Sequence, residues 1–301
     1  MDTLTFTCKI ITPMFLHGAD GQTPELRAPS IKGAMRFWWR AVNGHLGLDE
    51  LRKQETAIFG GVGKGESDGR RSKLLIRLDL DQPLRTIRSS LVPHKRSRDG
   101  RRQMMMANAF APEERFHVQL SRLPSCPMSL EEIQSLFQLM SALGGLGKRV
   151  RRGMGSIVLT HVGDKAVPSP TLDIIQRAIS QLSQHYSKRG SQIIHTYQGK
   201  MEQYPWISEI SVGTPKDRRI TDVISQKTHD LKFKNRDDRR YIQSYEVSMG
   251  HAFKGRFASP VYTSILDEQF TPVITILNTI PDRNWRNIDM RIQQEFKKMV
   301  L

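Results

Sequence analysis

Apolar and polar residues alternate along positions 4–11 of the chain, which is the two-residue period of a half-buried β-strand. Three further short runs, at 74–80, 116–120 and 156–160, are rich in aliphatic and aromatic residues and also predict strands. We expect the runs at 74–80 and 116–120 to pair with each other, so the first half of the chain contains at least one antiparallel pair.

Apolar residues recur at helical spacing along 31–42, 48–59 and 129–143, which predicts three amphipathic helices. Ser30 stands immediately before the first of these helices and is expected to be its N-cap. Ser129 starts the third helix with a capping pattern, because glutamates follow it within the first turn.

The order of these elements is strand, helix, strand, strand, helix, strand, which is the order of a ferredoxin-like, or split βαβ, unit. Such a unit ends near position 162, and the proline-containing segment at 167–170 follows it as a domain edge. We therefore predict an α+β protein with two domains, a ferredoxin-like (RRM-like) unit at 1–162 and a second α+β unit at 163–301, whose element order is less regular. The glycine- and arginine-rich stretch 144–155, called the Gly/Arg loop below, precedes the last strand of the first domain.

Two stretches are dominated by charged residues. The first, 85–102, is predicted as a long loop, and the second, 214–240, as a mixture of helix and loop. The other elements predicted in the second half are a helix, a strand, a strand pair and a terminal helix, at 172–186, 205–212, 257–266, 271–277 and 285–300.

The composition is that of a globular protein with an unusual charge. Of 301 residues 38% are hydrophobic, and 46 Lys and Arg against 30 Asp and Glu give a net charge of +16. This excess indicates an anionic partner, of which nucleic acid is the commonest. The sequence lacks both a long apolar run and a signal-peptide pattern, so we expect a cytoplasmic protein without a membrane partner. Cys8 and Cys126 lie far apart without a ligand motif, so no metal or cofactor is predicted.

The Gly/Arg loop reads GGLGKRVRRGMG and contains five glycines and four cations. Glycine permits a close approach of the backbone to a partner, and arginine donates a planar fork of hydrogen bonds that fits phosphate. The loop lacks the order of residues found in a nucleotide-binding P-loop, so an RNA backbone is the predicted ligand. The predicted contact residues are the cations Lys148, Arg149, Arg151 and Arg152 and the glycines Gly144, Gly145, Gly147, Gly153 and Gly155.

The first predicted helix carries a second group of candidate residues. Lys32, Arg36 and Arg40 share its polar face with Trp39, and we expect the cations to contact phosphates beside the Gly/Arg loop. Trp39 is predicted to stack on a base, a contact worth roughly 1–3 kcal/mol, with inward packing of its ring as the alternative. Because phosphate contacts dominate, alanine replacement of the loop arginines is expected to weaken RNA binding without changing the melting temperature.

Several motifs resemble those of the RAMP superfamily of CRISPR proteins. They are TPMFLHGAD at 12–20, ELRAPSIKGAMRFWWRA at 25–41, AIFG at 57–60 and the Gly/Arg loop. The string RAPSIKGAMRFWWRA is similar to that of the first-numbered subunit family of the Cmr complex, the type III-B effector. RFASP at 256–260 resembles the C-terminal domain of the same family.

The resemblance implies two ferredoxin-like domains and RNA binding. It also implies membership in a ribonucleoprotein that uses a guide RNA against invading transcripts, with target or guide RNA and the other Cmr subunits as partners. In that family the subunit lies near the end of the complex distal to the 5′ tag of the guide, helps capture target RNA, and is not regarded as a nuclease.

Two alternatives remain at the level of the sequence. Some members of the superfamily cleave RNA without a metal through a histidine, and others place an aspartate near the scissile phosphate. The corresponding candidates here are His17 and Asp20. Alternatively, the protein is a scaffold whose basic segments 85–102 and 214–240 contact acidic subunits in place of RNA.

Overall fold

The computed structural model describes residues 2–61, 71–92, 105–199, 204–235, 237–251, 257–278 and 290–301. The helices are α1 Ala28–Val42, α2 Leu48–Phe59, α3 Leu130–Leu143, α4 Leu172–Leu182, α5 Ile220–Phe233, α6 Arg239–Met249 and α7 Met290–Val300. The strands of the first half are β1 Asp2–Ile10, β2 Leu74–Asp79, β3 Thr86–Ser90, β4 Met106–Phe110, β5 Arg115–Arg122 and β6 Ile157–Val162. The later strands are β7 Lys165–Ala166, β8 Tyr186–Arg189, β9 Gln192–His195, β10 Ile207–Val212, β11 Val261–Ile265 and β12 Pro272–Leu277.

The first sheet has the strand order β2-β5-β1-β6-β7, and every pairing in it is antiparallel. The alternation predicted for β1 is observed, since Phe6, Cys8 and Ile10 are all fully buried. The Phe6 ring lies 4.4 Å from the ring of Phe137, which places α3 on this side of the sheet. The predicted pairing of 74–80 with 116–120 is confirmed by the β2–β5 ladder.

The second sheet has the order β11-β12-β10-β9-β8, again antiparallel throughout. Its central strand β10 is flanked by β12, which follows it in the chain, and by β9, which precedes it. In the first sheet, both neighbours of the central strand β1, namely β5 and β6, follow it in the chain. The two sheets therefore share a pairing pattern but differ in connection. The predicted class, a mixed α and β protein with antiparallel sheets, is confirmed.

One hydrophobic core joins the two halves of the described chain. Trp38 and Leu139 from the first half belong to the same buried cluster as Ile193, Ile207 and Leu277 from the second. Helices α3 and α4, which lie on either side of the predicted boundary at 162, also contact each other. The division at this position stays a prediction, because the packing is continuous across it.

The two predicted helix caps have different outcomes. Helix α3 begins as predicted, because the Ser129 hydroxyl accepts a hydrogen bond from the Glu132 amide at 3.1 Å and the Glu132 carboxylate accepts one from the Ser129 amide at 2.7 Å. The prediction for Ser30 is wrong: α1 begins at Ala28 with Arg27 as its N-cap. A proline in the first turn favours this earlier start, because its ring fixes a helical φ and needs no hydrogen-bond acceptor.

Two hairpins were not predicted. Strand β3 lies within the segment 85–102, which is predicted as a long loop, and pairs with β4, which follows that segment. Residues 93–102 of the segment lie outside the described part. Strands β8 and β9 follow α4, which ends at Leu182 and not at 186. Both hairpins are short, and one strand of each, β3 or β8, is mostly polar and lacks the alternation by which sequence patterns indicate strands. The segment 214–240 forms α5 and the start of α6, and the predicted helix residues 285–289 lie outside the described part.

No helix in the described ranges is both long and apolar enough to cross a membrane.

Candidate nucleic-acid interface

Helix α1 has a buried side and an outward side. Ile31, Met35, Trp38 and Trp39 are at most 4% exposed, because they pack into the main core. The opposite side of the helix carries the three predicted cations and one glycine, and it is called the α1 outer face below. Its members are Lys32, Gly33, Arg36 and Arg40, which are exposed or partly exposed.

The arginines of the α1 outer face are held in place by one buried carboxylate. The same oxygen of Glu55 accepts from Arg36 Nε at 2.7 Å and from Arg40 Nη1 at 3.0 Å. The Glu55 side chain is 8% exposed, whereas the two arginine side chains are 35% and 41% exposed. One negative charge thus orients two positive charges without neutralising both.

Lys32 adds a third positive charge beside this group. No carboxylate within the described ranges forms an ion pair with it. Burial and the neighbouring Arg36 guanidinium both lower the pKa of Lys32. The α1 outer face therefore carries an excess of positive charge that an anion in solution would stabilise.

Trp39 does not lie on this face, which corrects its predicted role. Its side chain is 4% exposed and its ring centroid lies 6.4 Å from that of Phe59, between α1 and α2. The hydrophobic effect favours this position, because an indole ring buries a large apolar area. A base cannot reach the faces of this ring in the observed structure.

A groove of about 290 Å³ continues the α1 outer face toward α2. The apolar and charged residues that line it come from α1, from α2 and from the segment before β10. Leu48 is 40% exposed at its edge, and the Tyr204 hydroxyl is fixed by donating to the Asn43 carbonyl at 2.6 Å. The lining residues are Phe37, Arg40, Leu48, Leu51, Arg52, Glu55, Tyr204 and Pro205. Sequence patterns missed the groove because its residues come from separate segments, and only Phe37 and Arg40 lie in a motif already singled out.

The glycines of the Gly/Arg loop let it close on itself and on the segment after β1. Gly155 has φ +66 and donates to the Pro13 carbonyl at 3.0 Å, while its own carbonyl accepts from Leu146 at 2.9 Å. Gly147 has φ +97, and a Cβ there would fall 2.6 Å from the carbonyl oxygen of Phe15. Both positions need a backbone conformation and a close approach that favour glycine.

The Gly/Arg loop is also bonded to the second sheet. The Gly153 amide donates to the Thr263 carbonyl at 2.8 Å, and the Ser264 hydroxyl donates to the Gly144 carbonyl at 2.7 Å. The Gly145 backbone lies against that of Gly155 at the base of the loop. Most of this loop is therefore a joint between the two sheets, with its backbone groups already satisfied by protein.

Two loop arginines are directed toward this joint. Arg151 donates to the Ser259 carbonyl at 2.6 Å, and its guanidinium carbon lies 4.6 Å from the Tyr262 ring centroid. Both terminal nitrogens of Arg152 donate to protein, Nη2 to the Met249 carbonyl at 3.1 Å and Nη1 to acceptors that include the Val261 carbonyl. The predicted phosphate contact of Arg152 is corrected accordingly, because its donors are used within the fold.

The other two loop cations differ from this pair. Lys148 is exposed, and its ammonium group donates to the Gly21 carbonyl at 3.2 Å. Arg149 has φ +65, and burial lowers the pKa of its guanidinium. Lys148 is therefore the loop cation best placed to meet an external anion.

Helix α1 and the Gly/Arg loop are neighbours, as the sequence led us to expect. The Arg151 guanidinium carbon lies 6.0 Å from the ring centroid of Phe37, and a Cβ at Gly144 would collide with the indole nitrogen of Trp38. The contact joins Arg151, one of the predicted cations, and Gly144 of the loop to the aromatic residues of α1.

The two residues considered for catalysis are both engaged in the loop that follows β1. His17 Nε2 lies 2.8 Å from the Asn108 carbonyl oxygen, so it holds this loop against β4. The Asp20 carboxylate accepts from Gln22 and Thr23, and these hydrogen bonds lower its pKa to about 2. Asp20 is therefore ionised at neutral pH and acts as a turn-stabilising residue. No cluster of three or more metal-ligating side chains occurs among the described residues.

A cluster of histidines that the sequence does not reveal joins the α1–α2 connection to the second sheet. The rings of His45 and His185 are 4.3 Å apart, and the ring of His195 lies 4.6 Å from that of Trp206. Burial, followed by the neighbouring histidines, lowers the pKa of His195 to about 4 and also lowers the pKa of His45.

This cluster predicts a loss of stability in mild acid. The pKa of His195 in the folded state, about 4, lies below that of an unfolded histidine, about 6.5, so protons bind the unfolded chain more tightly. The contribution of His195 is complete above the unfolded pKa and decreases as pH falls toward the folded pKa. We expect the melting temperature to drop between pH 7 and pH 5, and to drop less in a His195→Phe variant. An equal drop in melting temperature between pH 7 and pH 5 in the two proteins would contradict this role of His195.

The fold resembles that of a known protein over its full length. It matches the crystal structure of apo Cmr1 from Pyrococcus furiosus with a TM-score of 0.56 at 19% identity, covering 100% of this chain and 96% of that one. It also matches a chain of the type III-B Cmr-beta complex bound to cognate target RNA and AMPPnP, with a TM-score of 0.60, 10% identity and 99% coverage of both. At these identities the likeness concerns the fold alone.

The sequence relationship is more specific. The model of the RAMP superfamily matches residues 7–158, so the chain belongs to the RAMP superfamily. It is 35% identical over 79 residues to the Cmr subunit Cmr1-2 of Pyrococcus furiosus, covering 25% of this chain and 39% of that protein. It is 32% identical over 157 residues to Cmr1-1 of the same organism, covering 48% and 43%. The chain thus spans less than half the length of these curated relatives. These matches confirm the predicted resemblance to the first-numbered Cmr subunit.

Proposed function

We propose that this protein is a non-catalytic, RNA-binding subunit of a type III-B CRISPR effector complex that helps capture target or guide RNA. The other Cmr subunits would be its protein partners and the cytoplasm its location. The observation that carries the proposal is the α1 outer face, where one buried carboxylate orients two arginines beside Lys32. The net charge of +16 and the sequence relationship to Cmr1 subunits support it.

The RNA backbone would follow the α1 outer face. Lys32, Arg36 and Arg40 would contact phosphates, and the exposed Lys148 would contact the same strand from the Gly/Arg loop. The groove beside α1 would accept an unstacked base, because the aromatic residues Phe37 and Tyr204 line it together with two arginines. Such a site would bind single-stranded RNA with little sequence preference.

A non-catalytic role fits the geometry of His17 and Asp20. A histidine acting in RNA cleavage needs a nitrogen free to exchange a proton with the substrate. Nε2 of His17 lies within hydrogen-bond distance of the Asn108 carbonyl oxygen, and its Nδ1 has no hydrogen-bond partner among the described residues but is buried away from solvent. The Asp20 oxygens accept from the turn that follows. Both residues are thus used to shape the loop.

We further propose that both halves of the chain are ferredoxin-like domains. In support, the first sheet contains the order β2-β5-β1-β6, with helices between β1 and β2 and between β5 and β6. The second sheet repeats this order with β9 in the place of β6. In the second half, the hairpin of β8 and β9 precedes the central strand β10. Its strand β9 would therefore fill the position that β6 fills in the first half.

Removing the partly exposed Lys32 and the exposed Lys148 tests the proposed RNA site. We expect a Lys32→Gln/Lys148→Gln variant to lose about 30-fold in affinity for single-stranded RNA, since each of the two lost phosphate contacts removes roughly 1 kcal/mol and about 1.4 kcal/mol corresponds to tenfold. The slope of log affinity against log salt should fall by about 1.4, at about 0.7 per phosphate contact on a single strand. Fluorescence anisotropy with labelled polyuridine RNA at several salt concentrations would measure both.

The matched control is a Lys165→Gln/Lys298→Gln variant, which makes the same charge change at exposed positions on β7 and α7. We expect its affinity and salt slope to stay close to those of the unmodified protein. Equal losses in the two variants would mean that RNA responds to overall charge only, and the proposed site would be rejected.

A further inference from the structure

Gly33 lies on the α1 outer face, next to Lys32 along the chain and three residues before Arg36. It is exposed, and a Cβ built on its backbone would meet no atom within 4 Å in the described part of the chain. It lies in the second turn of a helix of 15 residues, where glycine is a poor helix former compared with alanine.

The described packing supplies no reason for glycine at this position. Gly33 is not among the residues with positive φ, unlike Gly147 and Gly155 of the Gly/Arg loop. At those two positions a Cβ would meet neighbouring backbone, whereas at Gly33 it would point into open space. A bare stretch of exposed helix backbone is useful where a partner approaches the main chain closely.

The charges around Gly33 indicate an anionic partner. Lys32 precedes it, and Arg36 lies one turn further along, held in position by the Glu55 carboxylate. Lys32 forms no ion pair with a carboxylate of the described residues, and the two cations repel each other. Two successive phosphates of an RNA strand would pair with Lys32 and with Arg36, and the sugar that connects them would lie over Gly33.

We propose that the sugar–phosphate backbone of single-stranded RNA packs directly against the main chain of α1 at Gly33, between Lys32 and Arg36. This inference rests on the proposed RNA-binding function and adds the point of closest approach. A side chain at this position would hold the sugar away from the helix and lengthen the phosphate contacts of both cations. Binding would therefore decrease with side-chain size even though the fold tolerates the change.

The test compares Gly33→Ala and Gly33→Leu in the full chain. We expect the affinity for labelled polyuridine RNA to fall about 3-fold for alanine and about 10-fold or more for leucine, as contacts to charged groups lengthen. The melting temperature of Gly33→Ala should rise, because alanine is the better helix former. Higher stability with weaker binding cannot result from damage to the fold.

A Gln181→Leu variant is the matched control, since it adds an exposed leucine to α4. We expect its RNA affinity to be unchanged. Unchanged affinity in both Gly33 variants, with weakened binding in Lys32→Gln/Lys148→Gln, would overturn the inference and leave the proposed function standing. Loss of binding to other Cmr subunits without any loss of RNA affinity would overturn it in favour of a protein partner. Unchanged RNA affinity in all of these variants would reject the proposed function itself.

Discussion

Replacing Arg152 with methionine is expected to lower the free energy of unfolding by about 2–4 kcal/mol, because buried acceptors lose their charged donor. Arg152 donates to the carbonyls of Met249 and Val261 and to the Ser259 hydroxyl, which belong to the second half of the chain. Burial lowers the pKa of its guanidinium to about 10, so it remains protonated at neutral pH and keeps these bonds. Methionine retains most of the volume, so the loss reports the hydrogen bonds and not a cavity.

Urea denaturation followed by circular dichroism would measure this effect. Lys148→Met is the control, because Lys148 is an exposed cation of the same loop and its replacement should cost less than about 0.5 kcal/mol. Equal stabilities of the two variants would show that Arg152 does not hold the joint. The expected result departs from the sequence-based expectation that the loop arginines can be removed without a change in melting temperature.

Replacing Gly155 with alanine is expected to cost about 3 kcal/mol or more, since strain and a backbone collision add together. Its φ of +66 disfavours any residue with a Cβ, by roughly 1–2 kcal/mol. A Cβ there would also collide with the carbonyl oxygen of Leu146. The loop would have to open at the hydrogen bond from Leu146 to Gly155, which closes its base.

Gly163→Ala separates these two causes. Gly163 has φ +57 in the turn between β6 and β7, and a Cβ there would meet no atom within 4 Å of the described chain. It should therefore show the strain alone, at roughly 1 kcal/mol. The difference between the two variants in chemical denaturation measures the collision. Similar losses at both positions would mean that the Gly/Arg loop has room to adjust.

The proposals for binding and for stability divide the Gly/Arg loop between two roles. Arg151, Arg152, Gly144 and Gly153 are bonded to the second half of the chain, whereas Lys148 remains exposed. A cation-rich loop looks the same in sequence whether its charges face solvent or backbone carbonyls. Only the position of β11, far along the chain, distinguishes these cases.

The amino-acid sequence by itself determined the elements whose signals are local. The alternation of β1, the capping pattern of α3 and the apolar stripe of α1 each come from residues a few positions apart, and each matched the structure. The charge excess and the RAMP motifs were likewise readable without coordinates. Local patterns suffice for these features, because helix and strand periods repeat within one element.

Tertiary structure alone decided which candidate residues face the core and which face solvent. Trp39 is buried because α2 packs over it, Arg152 is turned inward because β11 offers carbonyl acceptors, and Gly33 stays bare because no described segment covers it. The histidine cluster and the groove beside α1 likewise combine residues from distant parts of the chain. These features depend on long-range contacts, which single-sequence periodicity does not encode.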